Sequence, residues 1–161
     1  MAKEMHIVVP GKPIAKKRPR FFAKATPSGK IISGTYKDDK EQTEEGKFLL
    51  SLTEQIKNHN IEDFYGKPLF VEFTFVFVRP KSHFGSGKNA NVLKPSAPYY
   101  HVVKPDCDNA VKYCKDCMNK VVYGDDSQVV GETAWKVYGE KEETKITIRA
   151  LEGETINSGG M

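Results

Sequence analysis

Cysteine is scarce in this sequence, and the little there is cannot staple a fold. Cys107, Cys114 and Cys117 are an odd number packed into one short segment, which excludes a disulfide framework. Cys114-x-x-Cys117 with His101 as a further donor lacks the second knuckle of a closed tetrahedral zinc site. A small zinc-binding interaction protein is therefore the weaker reading; the thiols are expected in the core, and no zinc is expected. Long apolar runs are also missing. The best of them, Leu69 to Val78, is far too short to span a bilayer and contains Glu72. No basic n-region followed by an apolar h-region opens the sequence, so a cytoplasmic protein with no membrane partner is expected. There is no internal repeat and no low-complexity linker. At 161 residues the chain is expected to form one domain over 1–151, with a flexible tail at 152–161.

Acid is absent from two long stretches. Residues 10–37 carry Lys12, Lys16, Lys17, Arg18, Arg20, Lys24, Lys30 and Lys37 with no Asp or Glu. Residues 79–104 carry Arg79, Lys81, Lys88, Lys94 and Lys104, with His83 and His101, again without acid. Together they hold 13 of the 25 basic residues, leaving 12 bases against all 21 acids elsewhere, although the net charge is only +4. Both stretches are rich in Pro, Gly and Ser and read as exposed loops. Basic irregular segments suit a polyanion, because phosphates reward clustered Lys and Arg through counterion release. The bland alternative is a solvated surface on which basic loops balance acidic helices.

What is present between the loops is a short list of regular elements. Met5 to Val9 reads as a strand ended by Pro10-Gly11. Asp38 to Asn60 reads as a helix: Phe48, Leu49, Leu52 and Ile56 recur near a 3.6 spacing, with Leu50 fitting less well. Val71, Phe73, Phe75 and Phe77 alternate with Glu72 and Thr74, which predicts a strand over Leu69 to Val78. Arg79 to Tyr99 is long, polar and without pattern. Asp108 to Lys120 predicts a second helix capped by Asp108, with Asp106 on its extended approach. Its wheel sets Ala110, Val111, Cys114, Cys117, Met118 and Val121 towards the core. Asp108, Lys112, Asp116 and Asn119 lie along the opposite stripe. A turn at Gly124-Asp125-Asp126 leads to a strand over Val129 to Tyr138, then a polar hairpin connection to Thr144–Leu151. The fold class that results is α+β (mixed α/β): a single small sheet with two helices packed on it.

The chemistry is concentrated in Lys104-Pro-Asp-Cys-Asp-Asn109 and Asp125-Asp-Ser-Gln-Val-Val130. Clustered carboxylates repel unless a cation or proton sits between them, and a hard divalent ion held by oxygen ligands activates water against a phosphodiester. Asp106 and Asp108 are two apart, so on extended chain they point to a common side. Asp126 or Asp125 arrives from the turn. Lys112 lies one helical turn beyond Asp108, within reach of a phosphate. Each feature has an ordinary structural reading as well: Asp108 as a cap, Asp125-Asp126 as a turn, and Asp108, Lys112 and Asp116 as a solvated ladder. An EF-hand is excluded, because its glycine and its twelfth-position glutamate are missing.

The segment KPDCDNAVKYCKDCMNKVVYGDDSQVV, Lys104 to Val130, resembles the signature region of the RusA family of Holliday-junction resolvases. That pattern is Asp-x-Asp-Asn, a Lys four residues after the second Asp, an Asp four further on, a short turn, and Asp-Asp-x-Gln-Val. PGKPIAKKRPR, Pro10 to Arg20, resembles the start of many phage- and prophage-type members. The resemblance implies a homodimeric, Mg²⁺-dependent endonuclease (with Mn²⁺ as a substitute) that places paired symmetric nicks across a four-way DNA junction. It implies Asp106, Asp108 and Asp126 as the metal-binding catalytic carboxylates and Lys112 as the catalytic lysine. Asp125, Asp116 and Asn109 take supporting positions. Lys16, Lys17, Arg18, Arg20, Arg79, Lys81, Lys88, Lys94 and Lys104 are the expected DNA contacts. The chain departs from the usual pattern at Cys107 and Ala110, where larger aliphatics are frequent. It also has Met-Asn-Lys-Val-Val where Leu-Asn-Gly-Val-Val is typical. Two other readings use the same residues: a branched-DNA-binding protein that cuts nothing, and a flap or fork nuclease.

Overall fold

The computed structural model describes residues 3–17, 20–36 and 39–151. Arg18, Lys37, the first residue of the expected first helix (Asp38) and the expected tail at 152–161 lie outside them, as does the side chain of Arg20. The elements in chain order are β1 (Glu4–Pro10), β2 (Arg20–Ala25), β3 (Ile31–Tyr36), α1 (Asp39–Ile56), β4 (Leu69–Val78), α2 (Cys107–Met118), β5 (Val129–Gly139) and β6 (Glu143–Ala150).

Four strands form one sheet in the order β1-β6-β4-β5. β4 lies between β6, to which it is antiparallel, and β5, to which it is parallel, and β6 pairs antiparallel with β1. Alternation decides which face is covered. Met5, Ile7 and Val9 of β1, Val71, Phe73, Phe75 and Phe77 of β4, and Ile146 and Ile148 of β6 are buried on one side. The cross-strand partners Met5↔Ile148 and Val71↔Ile148 confirm that these residues share that face. Phe48 and Leu52 of α1 and Ala110, Val111, Cys114, Cys117 and Met118 of α2 complete the same core. The two helices meet there through Phe48 and Tyr113, edge to face at 5.5 Å. Burying each such phenylalanine is worth roughly 1.5–3 kcal/mol, so the β4 row alone fixes which way the sheet faces. Leu50 points to solvent, as its poor fit to the spacing suggested.

The α+β class read from the sequence is the class observed. Two details of the sheets differ. Part of the first basic segment is not loop but a second, two-stranded sheet, the β2–β3 hairpin. Its Phe21, Phe22, Ile31 and Ile32 are exposed, so it has no buried-face alternation to read. β5 and β6 do not pair as a hairpin, because β4 is inserted between them. The chain steps over the end of β4 at Gly139, where a Cβ would stand 2.6 Å from Val76 Cγ1; only glycine passes so close.

The second basic segment is also more ordered than its composition suggests. It makes 3-10 turns at Lys81–His83 and Gly87–Asn89 and then runs back along the free edge of β5. Tyr138 N–H donates to Tyr99 O and His101 N–H donates to Lys136 O, each at 3.0 Å. Arg79 Nη1 donates to Pro98 O at 2.6 Å and its guanidinium lies over the Tyr138 ring. His101 is buried, stacked on Phe77 with ring centroids 3.7 Å apart. Backbone pairing to a sheet edge leaves no sequence period, which is why the stretch reads as structureless.

Candidate active site

The approach to α2 is clamped before the helix begins. Lys136 Nζ, from β5, donates to the carbonyl oxygens of Val103 and Pro105 at 2.6 Å each. The helix then opens earlier on its acidic motif than the sequence suggested: Asp106, not Asp108, stands at the N-cap, and Asp108 lies in the first turn. Asp106 has extended backbone and makes no side-chain capping bond. Its carboxylate is therefore not committed to the helix, whereas an ordinary Asp cap would be.

Of the stripe read from the helical wheel, Asp108, Lys112 and Asp116 face an open pocket of about 500 Å³, while Asn119, at the C-cap, is not among its lining residues. Asp108, Lys112, Lys115 and Asp116 line it from α2, together with Cys107 and Val111. Asp126 enters from the following turn, and Glu132 and Ala134 from β5. Asp106, Asn109 and Asp125 are not among its lining residues. Asn109 instead accepts at its carbonyl from Lys16 N–H, at 3.1 Å, which lays the first basic segment across the start of α2.

The turn distinguishes the two adjacent aspartates. Asp125 caps a short 3-10 helix, Asp126–Gln128: its carboxylate accepts from Ser127 N–H at 3.0 Å and from the Ser127 hydroxyl. Those bonds hold the exposed Asp125 below the usual carboxylate range. Gln128 fixes the turn from inside. Its Oε1 accepts from Gly124 and Asp125 N–H, and its Nε2 donates to Phe64 O and Lys67 O. With Asp125 so occupied, Asp126 is the one turned into the pocket. Its Oδ1 is buried and has no hydrogen-bond partner.

Lysines offset much of the acid. Lys16 Nζ pairs with Asp116, and Lys115 Nζ lies 3.2 Å from Glu132. Among the described residues, no three His, Cys, Asp or Glu side chains are drawn together closely enough to hold a metal ion as they stand. The tight convergence expected from spacing is thus not what is observed: the acids ring a pocket and two of them are spread onto lysines. In kind, however, the donors suit a hard divalent cation, being carboxylate oxygens from a helix, a turn and a strand. The orphaned Oδ1 of Asp126 is the specific sign of fit, since a buried acceptor without a donor is otherwise costly.

The remaining candidates are scattered. Lys17 pairs with Glu41 at 3.4 Å, and Arg79 is engaged within its own loop. Lys81, Lys88, Lys94 and Lys104 are exposed. Cys114 and Cys117 face the core, and burial pushes the Cys114 thiol well above its ordinary value, as for an unreactive core thiol. Glu132, Lys115 and Lys136 were not legible as site residues. Glu132 and Lys136 are lone charges in a strand and Lys115 stands beside Asp116 off the stripe read from the wheel; only the parallel β4–β5 pairing brings β5 beside α2.

An α+β domain that gathers carboxylates and a lysine around one cleft beside basic loops has the make-up of a phosphodiester hydrolase. The family model described as endodeoxyribonuclease RusA matches residues 10–149, and the chain belongs to that family, a family of DNA-cutting nucleases. It is also 31% identical over 147 residues to the uncharacterized protein YqaN of Bacillus subtilis (strain 168), covering 88% of this chain and 92% of that protein. No helix among the described residues is long and apolar enough to cross a membrane.

Proposed function

We propose that this protein is a divalent-metal-dependent, structure-selective endonuclease that resolves four-way DNA junctions as a homodimer, by paired symmetric cuts. One observation carries the reading: Asp108, Lys112 and Asp126, from a helix and a separate turn, line one pocket within the span that matches the family. Asp126 and Asp108 would hold the ion, with Asp106 reaching in from the N-cap. A bound Mg²⁺ (or Mn²⁺) supplies a water of lowered pKa and charge stabilisation at phosphorus. Lys112 offsets the charge that develops on the phosphate during in-line displacement. Lys16 keeps Asp116 neutralised and so relieves repulsion against the other acids. Exposed Lys81, Lys88, Lys94 and Lys104 grip the arms through phosphates, which favours shape over sequence. A two-fold dimer would present two such sites to two equivalent strands.

The test is nicking of a synthetic four-way junction, with flap, fork and linear duplexes beside it, in Mg²⁺ and in EDTA. The junction should be cut at paired positions in Mg²⁺ only. Asp126→Asn should reduce cutting by at least about 100-fold, on the scale of losing a principal charge-stabilising group, while binding the junction as before. Preferential cutting of flaps or forks would support the flap-nuclease reading, and binding without any cutting a non-catalytic one.

A further inference from the structure

Three exposed aromatic side chains touch one another outside the pocket. Tyr99, Tyr100 and Trp135 are 61%, 51% and 55% exposed. Tyr100 nonetheless stacks on Trp135 with ring centroids 6.0 Å apart, and Tyr99 meets Tyr100 edge to face at 4.9 Å. Their backbone is fixed, because Tyr99 and His101 hydrogen-bond to β5 and Tyr100 bridges to Val137 between them. Trp135 alternates along β5 with Ala134, which packs on the core, so it stands on the sheet face opposite the helices. There it shares a row with Thr74 of β4 and the exposed Lys145 of β6. Contiguous exposed apolar area of this kind marks a binding surface.

Charge decides the occupant. The stretch 79–104 that supplies two of the rings has no Asp or Glu, and its Lys81, Lys88, Lys94 and Lys104 are exposed. On the open face Glu143 is paired with Lys145 at 3.6 Å, and Glu72 stands one row from Trp135, opposite Thr133. A second copy docked here by two-fold symmetry would set the same cationic stretch against itself, whereas a polyanion gains from it. The stretch also leads into the pocket. Lys136 Nζ fastens Val103 O and Pro105 O just before Asp106, and the chain from Tyr100 to Asp106 spans at most roughly 22 Å. We propose that Tyr99, Tyr100 and Trp135 form a stacking platform for unpaired DNA bases: a strand whose phosphate enters the pocket passes round the edge of β5 and lays a base, unstacked at the branch, against these rings. The proposal rests on the branched-DNA reading above. Stacking on aromatic faces tolerates any sequence, because every base has a π-face, and rings already held in place lose little freedom on binding.

Trp135 is the only tryptophan in the chain and therefore serves as its own reporter. Its emission is followed in EDTA while the full chain is titrated with a four-way junction, with oligo-dT and with a linear duplex. Junction and oligo-dT should quench it as they bind, and the duplex should quench it far less. Trp135→Leu and Tyr100→Leu keep apolar bulk but lose the flat face. Their junction affinity should fall by about 5-fold or more, the loss of one stacked base, while Tyr100→Phe binds like the wild type. The salt dependence should keep its slope, because no phosphate contact is removed. Equal urea midpoints show that these surface variants fold as the wild type does. Either unchanged emission on junction binding, or Leu variants that bind as tightly as the wild type, overturns the platform and leaves the nuclease reading standing. If the wild type binds neither junction nor oligo-dT, the branched-DNA reading falls with it. Emission that shifts with protein concentration in the absence of DNA, together with a smaller oligomer for Trp135→Leu, would assign the patch to a second copy and overturn the proposal.

Discussion

Lys120 shows at the scale of one residue how a sequence departure becomes a physical cost. It follows the end of α2 with φ of 63°, in the left-handed region that a side chain with a Cβ adopts only at an expense of about 1–2 kcal/mol. The RusA pattern typically has glycine there. Lys120→Gly should therefore raise stability by about 1 kcal/mol, read as a melting temperature higher by roughly 2–4 °C; an unchanged or lower midpoint would show the strain is relieved elsewhere. His101 gives a second prediction. Burial first, and Lys136 second, hold its ring below the ordinary histidine value. The unfolded chain thus binds a proton at pH values where the folded one does not, so stability is full above the ordinary value and falls as pH drops below about 6.5. Urea midpoints between about pH 7.5 and 5 should decline in the wild type. His101→Phe should flatten that part of the decline. The acidic motif was legible residue by residue, but the division of labour between Asp125 and Asp126 was not, because it depends on Ser127 and Gln128 forming a cap.

Elements carry the site through two anchors. Gln128 makes four hydrogen bonds that hold the Gly124–Gln128 turn against Phe64 and Lys67. Gln128→Ala should destabilise the fold by about 1–3 kcal/mol, the cost of leaving three part-buried partners unsatisfied, and should lower cutting more than junction binding. Equal stability in urea would contradict that role. Lys136 does the same for the approach to α2, and Lys136→Met should free the carbonyls of Val103 and Pro105 and loosen Asp106. Faster amide exchange over residues 103–108 would show it; unchanged exchange would count against the clamp. α2 and β4 were readable because their apolar residues recur with a period. The β2–β3 hairpin was not, since Phe21, Phe22, Ile31 and Ile32 bury no face. The β5–β6 connection misled for a different reason. Gly139 and the polar residues after it look like a hairpin turn, yet they step across the end of β4, and local sequence does not record a strand inserted from elsewhere.

The whole molecule is a half-covered sheet. Among the described residues the helices and the pocket share one face, and the second basic segment runs along the free edge of β5. If Lys81, Lys88, Lys94 and Lys104 meet phosphates, changing them to Gln should weaken junction binding evenly across sequences. The slope of log K against log salt should flatten by about 0.9 for each phosphate that is no longer neutralised. An unchanged slope would move the DNA to another surface. The decisive question remains whether the pocket between α2, the Asp126 turn and β5 receives the catalytic ion. A crystal soaked in Mn²⁺ and measured for anomalous scattering answers it most directly. The peak should lie in that pocket, about 2.0–2.2 Å from carboxylate oxygens of Asp108 and Asp126. A peak bound elsewhere, with those two side chains unmoved and uncoordinated, would contradict the account.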